Sequence, residues 1–145
     1  EQGDDRVLAC SRQRLRTSDP ATGETLWEIE GHYRDANPQW YGERILISKE
    51  EGQVQLLDPG SGETQVEIES GVARLDKAGL VRDGSRVVVT GPGGRVAAVD
   101  LDDGSNQVLG QISIDYVYST PLLEDDLYVV ATMGGELRGY RLPPS

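Results

Sequence analysis

The sequence predicts an all-β fold: a β-propeller built of four-stranded antiparallel blades, with about three and a half to four blades in this chain. Three observations carry that expectation. First, one segment occurs three times, as Thr17-Ser18-Asp19-Pro20-Ala21-Thr22-Gly23-Glu24-Thr25-Leu26-Trp27, as Leu56-Leu57-Asp58-Pro59-Gly60-Ser61-Gly62-Glu63-Thr64-Gln65-Val66 and as Ala98-Val99-Asp100-Leu101-Asp102-Asp103-Gly104-Ser105-Asn106-Gln107-Val108. Each copy holds an Asp, a Gly four residues on, and a Trp or Val four after that, and the Asp positions lie 39 and 42 residues apart. A period near 40 with short strands around each copy is the signature of propeller blades. Second, the runs between copies are β-branched and bounded by Gly and Asp, as hairpin strands are. Third, no stretch repeats its apolar residues at the helical period.

The strands follow in order. Residues 6–11 form a short apolar strand, 13–18 a second, and 25–30 a third after the Asp19 turn. The same order recurs at 44–48, 53–57 and 65–68 around the Asp58 turn, and at 86–90, 95–99 and 107–112 around the Asp100 turn. A last pass runs through 127–132 and 136–140 and stops where another Asp turn is due. Ahead of the second, third and fourth passes sits one more short strand, at 38–41, 79–81 and 121–123, joined onward by a polar turn. With the strands of a unit lettered A to D, the chain reads BCD, ABCD, ABCD, ABC. The repeat units are approximately 6–30, 38–69, 79–112 and 121–142, within one domain of 1–145.

Three and a half units fall just short of the roughly four blades that closure requires, and an uncovered edge strand is an association hazard. The expectation is a partial or self-completing propeller, finished by another segment, by a protein partner or by a second copy of the chain. The chain opens on Glu1 rather than Met, which fits a mature or excised segment.

Composition narrows the partners. Gly accounts for 18 of 145 residues, well above the usual share of about 7%, as suits a chain that reverses every few residues. There is no Phe, so Val, Ile and Leu must build the core. A formal net charge of −11 argues against nucleic acid or an anionic membrane surface as a partner, and no run approaches the ~20 apolar residues of a membrane span. Cys10 is the single cysteine, so an internal disulfide and any CxxC site are excluded. Val7-Leu8-Ala9-Cys10 has the look of a lipoprotein cleavage box, but Glu1 to Arg6 supply no apolar run before it; a buried strand cysteine is expected instead.

The copy Asp19-x-x-Thr22-Gly23-x-x-x-Trp27 closely resembles the tryptophan-docking repeat of PQQ-like (quinoprotein-like) β-propellers. The second copy departs with Ser61 for Thr and Val66 for Trp, the third with Asp103 and Val108. The resemblance implies structural roles: turn hydrogen bonding for Asp19 and its equivalents Asp58 and Asp100, positive φ for Gly23, Gly62 and Gly104, and a wedge between blades for Trp27. The family divides into quinone-dependent dehydrogenases and non-catalytic scaffolds, the latter including the outer-membrane assembly lipoprotein and sensor domains of bacterial kinases. The dehydrogenases add a Ca²⁺ site, a catalytic Asp and typically an adjacent cysteine pair. A chain with one Cys and three motif turns resembles the non-catalytic branch, which implies no cofactor, no catalytic or metal residues, and a periplasmic or cell-surface location. Fold alone does not carry function.

Other candidate chemistry reduces to turns. Asp100-Leu101-Asp102-Asp103-Gly104 has a Gly where a calcium loop needs a fifth-position oxygen ligand. Gly91-Pro92-Gly93-Gly94-Arg95 lacks the Lys-Ser/Thr and helix of a phosphate loop. His32 is the only histidine, in an expected exposed loop. The connections from strand D to strand A, at 31–37, 70–78 and 113–120, share a face with the B–C turns in propellers. That face is the candidate partner-binding surface, through His32, Tyr33, Arg34, Tyr116 and Tyr118, with Trp40 just beyond, because aromatics and Arg anchor interfaces. The expected function is a non-catalytic protein-binding or scaffold module. The alternatives are an extracytoplasmic ligand-sensing domain of a larger receptor or kinase, and a fragment or relative of a quinone-dependent dehydrogenase.

Overall fold

A computed structural model describes residues 6–33, 36, 38–72, 81–91, 94–111 and 121–144. Among them the chain is all strand and turn. The strands are β1 (Val7–Cys10), β2 (Arg14–Ser18), β3 (Thr25–Glu30), β4 (Gln39–Tyr41), β5 (Arg44–Ser48), β6 (Gln53–Leu57), β7 (Thr64–Glu69), β8 (Val81–Asp83), β9 (Arg86–Thr90), β10 (Arg95–Asp100), β11 (Asn106–Gln111), β12 (Leu122–Glu124), β13 (Leu127–Ala131) and β14 (Leu137–Arg141). They pair as four antiparallel meanders: β1-β2-β3, β4-β5-β6-β7, β8-β9-β10-β11 and β12-β13-β14. The architecture is the β-propeller type, with sheets of three, four, four and three strands.

The A–B hairpins close over two residues, since Tyr41 pairs with Arg44, Asp83 with Arg86 and Glu124 with Leu127. Such a turn demands a left-handed first residue. Gly42 and Gly84 provide it at φ 60° and 58°, and in the fourth sheet Asp125 does so at 53°.

The C–D turns are three copies of one object. In each, the N–H of the Gly donates to the carbonyl of the motif Asp, at 2.8 Å for Gly23 and Gly62 and 3.0 Å for Gly104. The Asp N–H in turn donates across the turn to Glu24, Glu63 or Ser105. The Asp carboxylate folds back on the loop. Asp19 Oδ1 accepts from the N–H groups of Ala21 and Thr22, Asp58 Oδ1 from that of Gly60, and Asp100 Oδ1 from those of Asp102 and Asp103.

Two compact units divide the chain, Glu1–Glu67 and Ile68–Ser145. In the first, Leu15, Tyr33, Ile45, Ile47 and Leu57 form a buried cluster, with Leu8, Cys10, Trp27, Ile29 and Trp40 packed against it. Cys10, expected to be buried, is half-buried, and burial pushes its thiol pKa up. In the second unit, Val81, Val88, Val96, Tyr128, Val130 and Leu142 are the core. The Tyr128 hydroxyl is satisfied there by the Thr90 hydroxyl.

Candidate functional site

The loop face of the first unit is built by main-chain ties. The N–H of Gly31, just after β3, donates to the Gln13 carbonyl in the β1–β2 turn at 2.9 Å. The N–H of Glu50, in the β5–β6 turn, donates to the His32 carbonyl at 2.8 Å. The D–A connection is thereby held between two B–C turns at one end of the sheets. His32 is exposed, with Nδ1 lying 3.0 and 3.1 Å from the two carboxylate oxygens of Glu51. A surface pair of this kind contributes at most about 1 kcal/mol and leaves both groups available to a partner.

Tyr33 does not belong to that surface. It is 3% exposed, and its hydroxyl donates to Gln55 Oε1 at 3.1 Å. Gln55, itself buried, passes the chain on by donating from Nε2 to Glu67 Oε2 at 2.5 Å. Burial, then Glu67, Cys10 and Glu51, raise the Tyr33 pKa above its ordinary value. The exposed-loop expectation for Tyr33 is therefore corrected: a ring is tucked under the loop because residue 31 is Gly, where a Cβ would sit 2.5 Å from Tyr33 Cε2. Trp40 is half-buried and packs on the same core from β4, so its ring is largely committed to packing. Arg34, Tyr116 and Tyr118 lie outside the described residues.

At the opposite end of the first unit the sheets are tied through one carbonyl. Trp27 Nε1 donates to Pro59 O at 2.7 Å, and the Arg6 guanidinium donates to the same oxygen. The Trp27 ring lies over the Asp58 turn closely enough that a Cβ on Gly62 would meet Cε3 at 2.7 Å. In the second unit Arg86, which opens its strand as Arg6 precedes β1, donates to Pro143 O at 2.7 Å. Two open clefts of about 540 and 360 Å³ occupy matching places beside the C–D turns, one lined by Arg44, Asp58 and Gln65, the other by Arg86, Asp100 and Gln107.

Comparison with known proteins now adds the family. The family described as outer membrane protein assembly factor BamB matches residues 2–142. The chain belongs to the BamB family of PQQ-like propellers. Comparison with curated proteins yields no match. Among solved structures, the computationally designed Ika4 protein is similar at a TM-score of 0.75 and 18% identity, over 97% of this chain and 87% of that one. BamB from Moraxella catarrhalis is similar at 0.68 and 22%, over 97% of this chain and 48% of BamB. The designed Ika8 protein is similar at 0.67 and 20%, over 93% and 45%. This chain thus spans about half the length of the last two, and at these identities the likenesses speak to the fold.

Within the BamB-family repeat, Ser61 and Asp103 depart from Thr in letter but not in geometry. Thr22 Oγ1, Ser61 Oγ and Asp103 Oδ1 each accept the N–H two residues on, from Glu24, Glu63 and Ser105, at 3.2, 3.2 and 2.7 Å. The Ser105 bond lowers the Asp103 pKa. A quinone–Ca²⁺ pair does not fit these turns, because Asp19, Asp58 and Asp100 direct carboxylate oxygens onto N–H groups of their own loops. Among the described residues no group of His, Cys, Asp and Glu is placed to hold a metal ion, and no helix is long and apolar enough to cross a membrane. Sequence reasoning missed Arg6 and Gln55. The signal for Arg6 was available, since Arg6, Arg44 and Arg86 stand at matching places in three units.

Proposed function

We propose that this chain is a protein-binding scaffold module of the BamB type, without catalytic chemistry of its own, working outside the cytoplasm. The observation that supports it is the family match over residues 2–142, to a family described as an outer membrane protein assembly factor. The binding surface in this reading is the loop face, where His32, Glu50 and Glu51 stand on two turns clamped by main-chain bonds. A rigid scaffold presenting adaptable loops is what a binding module requires. Arg34, Tyr116 and Tyr118 would extend the same surface, and Tyr33 and Trp40 would stiffen it from below. With a net charge of −11, the partner is a protein surface rather than nucleic acid.

The test places a photoreactive residue at His32 and, in a second variant, at Thr22 on the Asp19 turn. In the source cell, a cross-link to one defined protein at His32 and none at Thr22 supports the reading. Cross-links at Thr22 alone, or dye reduction by the purified chain after loading with Ca²⁺ and pyrroloquinoline quinone, would overturn it.

A further inference from the structure

The fourth sheet carries a bare apolar face. Leu122 pairs with Val129, Val129 with Gly139, and Ala131 with Leu137, so these residues and Leu127 point to one side. A Cβ on Gly139 would lie 3.6 Å from Leu127 Cδ1 and 3.8 Å from Val129 Cγ2, which confirms the shared side. Leu122 is 70% exposed and Leu137 76% exposed. The other side of the same sheet, Tyr128 and Val130, is buried in the core of the second unit.

Register shows what this face is for. In the third sheet Val88 pairs with Val81 and Ala98, and Thr90 with Val96. Val81, Val88 and Val96 are therefore the equivalents of Leu122, Val129 and Leu137. They are buried against Tyr128 and Val130. In the first sheet the equivalents of Val129 and Leu137 are Leu8 and Leu15, which pack with Ile45, Ile47 and Leu57 of the second sheet. Twice, then, this face is covered by the opposite face of a sister sheet. One such opposite face stands open in the chain: Val7, matching Ile45 and Tyr128 in register, is 51% exposed, and Ala9 beside it is exposed too. Arg14 and Glu28 pair at its margin at 3.1 Å. The Val7 face is thus polar-rimmed, as a terminal repeat's outer face should be, whereas the Leu122 face is not.

We propose that the Leu122–Val129–Leu137 face of one chain docks on the Val7–Ala9 face of a second copy. The interface is head-to-tail, and two such contacts close a ring of two copies rather than a filament. Two facts favour a second copy as the occupant. The complementary face is present on the chain itself, and the chain covers 48% and 45% of two similar structures, so two copies match the length over which this fold runs.

Light scattering over a concentration series tests it, using the wild type, Leu137→Lys and Val7→Lys. Both positions are exposed and Lys lowers the net negative charge, so neither loss of folding nor added repulsion accounts for dissociation; far-UV circular dichroism checks the fold. The wild type should reach twice the 15.8 kDa chain mass, each variant alone should fall to the single mass, and mixing the two should restore the double mass, since one intact interface survives in the mixed pair. A wild type that stays at the single mass throughout overturns the proposal. So does a Val7→Lys variant that still dimerises, or a mixture that fails to recover, both of which point to like faces meeting.

Discussion

Gly62→Ala isolates the contact that ties the first two sheets together. Gly23, Gly62 and Gly104 hold the same place in three matching turns, at φ 74°, 76° and 74°. An alanine at any of them costs about 1–2 kcal/mol for the left-handed backbone. At Gly23 and Gly104 nothing lies within 4 Å of the added Cβ, whereas at Gly62 the Trp27 ring lies at 2.7–2.9 Å. Pushing that ring aside adds about 1–3 kcal/mol of overpacking and disturbs the 2.7 Å bond to Pro59 O. Urea unfolding followed by circular dichroism should therefore rank Gly62→Ala about 1–3 kcal/mol worse than Gly23→Ala or Gly104→Ala. The excess should vanish in a Trp27→Val background, which reproduces the residue at Val66 and Val108, giving a coupling of about that size in the double-mutant cycle. Equal costs at all three glycines, or an excess that persists without Trp27, would refute the inter-sheet role given to Trp27.

Three further outcomes follow from the same geometry. Burial holds Tyr128 up at a pKa of about 12, so the unfolded chain, titrating near ~10, loses its proton first. Stability present below pH ~10 should then be lost between about 10 and 12, by up to roughly 3 kcal/mol; Tyr128→Phe should flatten that slope while costing about 1 kcal/mol at neutral pH through the Thr90 hydroxyl it strands, and an unchanged slope would contradict the assignment. Ser61→Thr should leave the urea midpoint within about 0.5 kcal/mol of wild type and Ser61→Ala should cost about 1 kcal/mol, because the Glu63 N–H needs an oxygen rather than a particular residue. Asp125→Gly should raise stability by about 0.5 kcal/mol by placing Gly where the other two A–B hairpins have it; a loss would mean that Asp125 makes a compensating contact.

The strand order was legible because each signal was local. Alternation and β-branching located the hairpins, and the Asp…Gly spacing located the C–D turns. What the sequence withheld was long-range. Tyr33 sits in a polar loop, and its burial depends on Gly31 beneath it and on Gln55, 22 residues away. The partner of Trp27 is a carbonyl 32 residues on, which no side-chain pattern reports. Val66 and Val108 look like lapses from the Trp pattern, yet Ser61 and Asp103 keep its turn chemistry intact, because oxygen position and not residue identity is what the backbone requires. Leu122, Val129 and Leu137 read like Val81, Val88 and Val96. Alternation says which face a strand offers; it does not say whether anything covers it.

The most direct test of the scaffold reading is hydrogen exchange of the chain alone against the chain bound to the protein that cross-links at His32. The account predicts slowed exchange in the 31–33 and 49–52 backbone, with the Asp19, Asp58 and Asp100 turns unchanged. Protection of those turns, with the loop face exchanging as before, would contradict it.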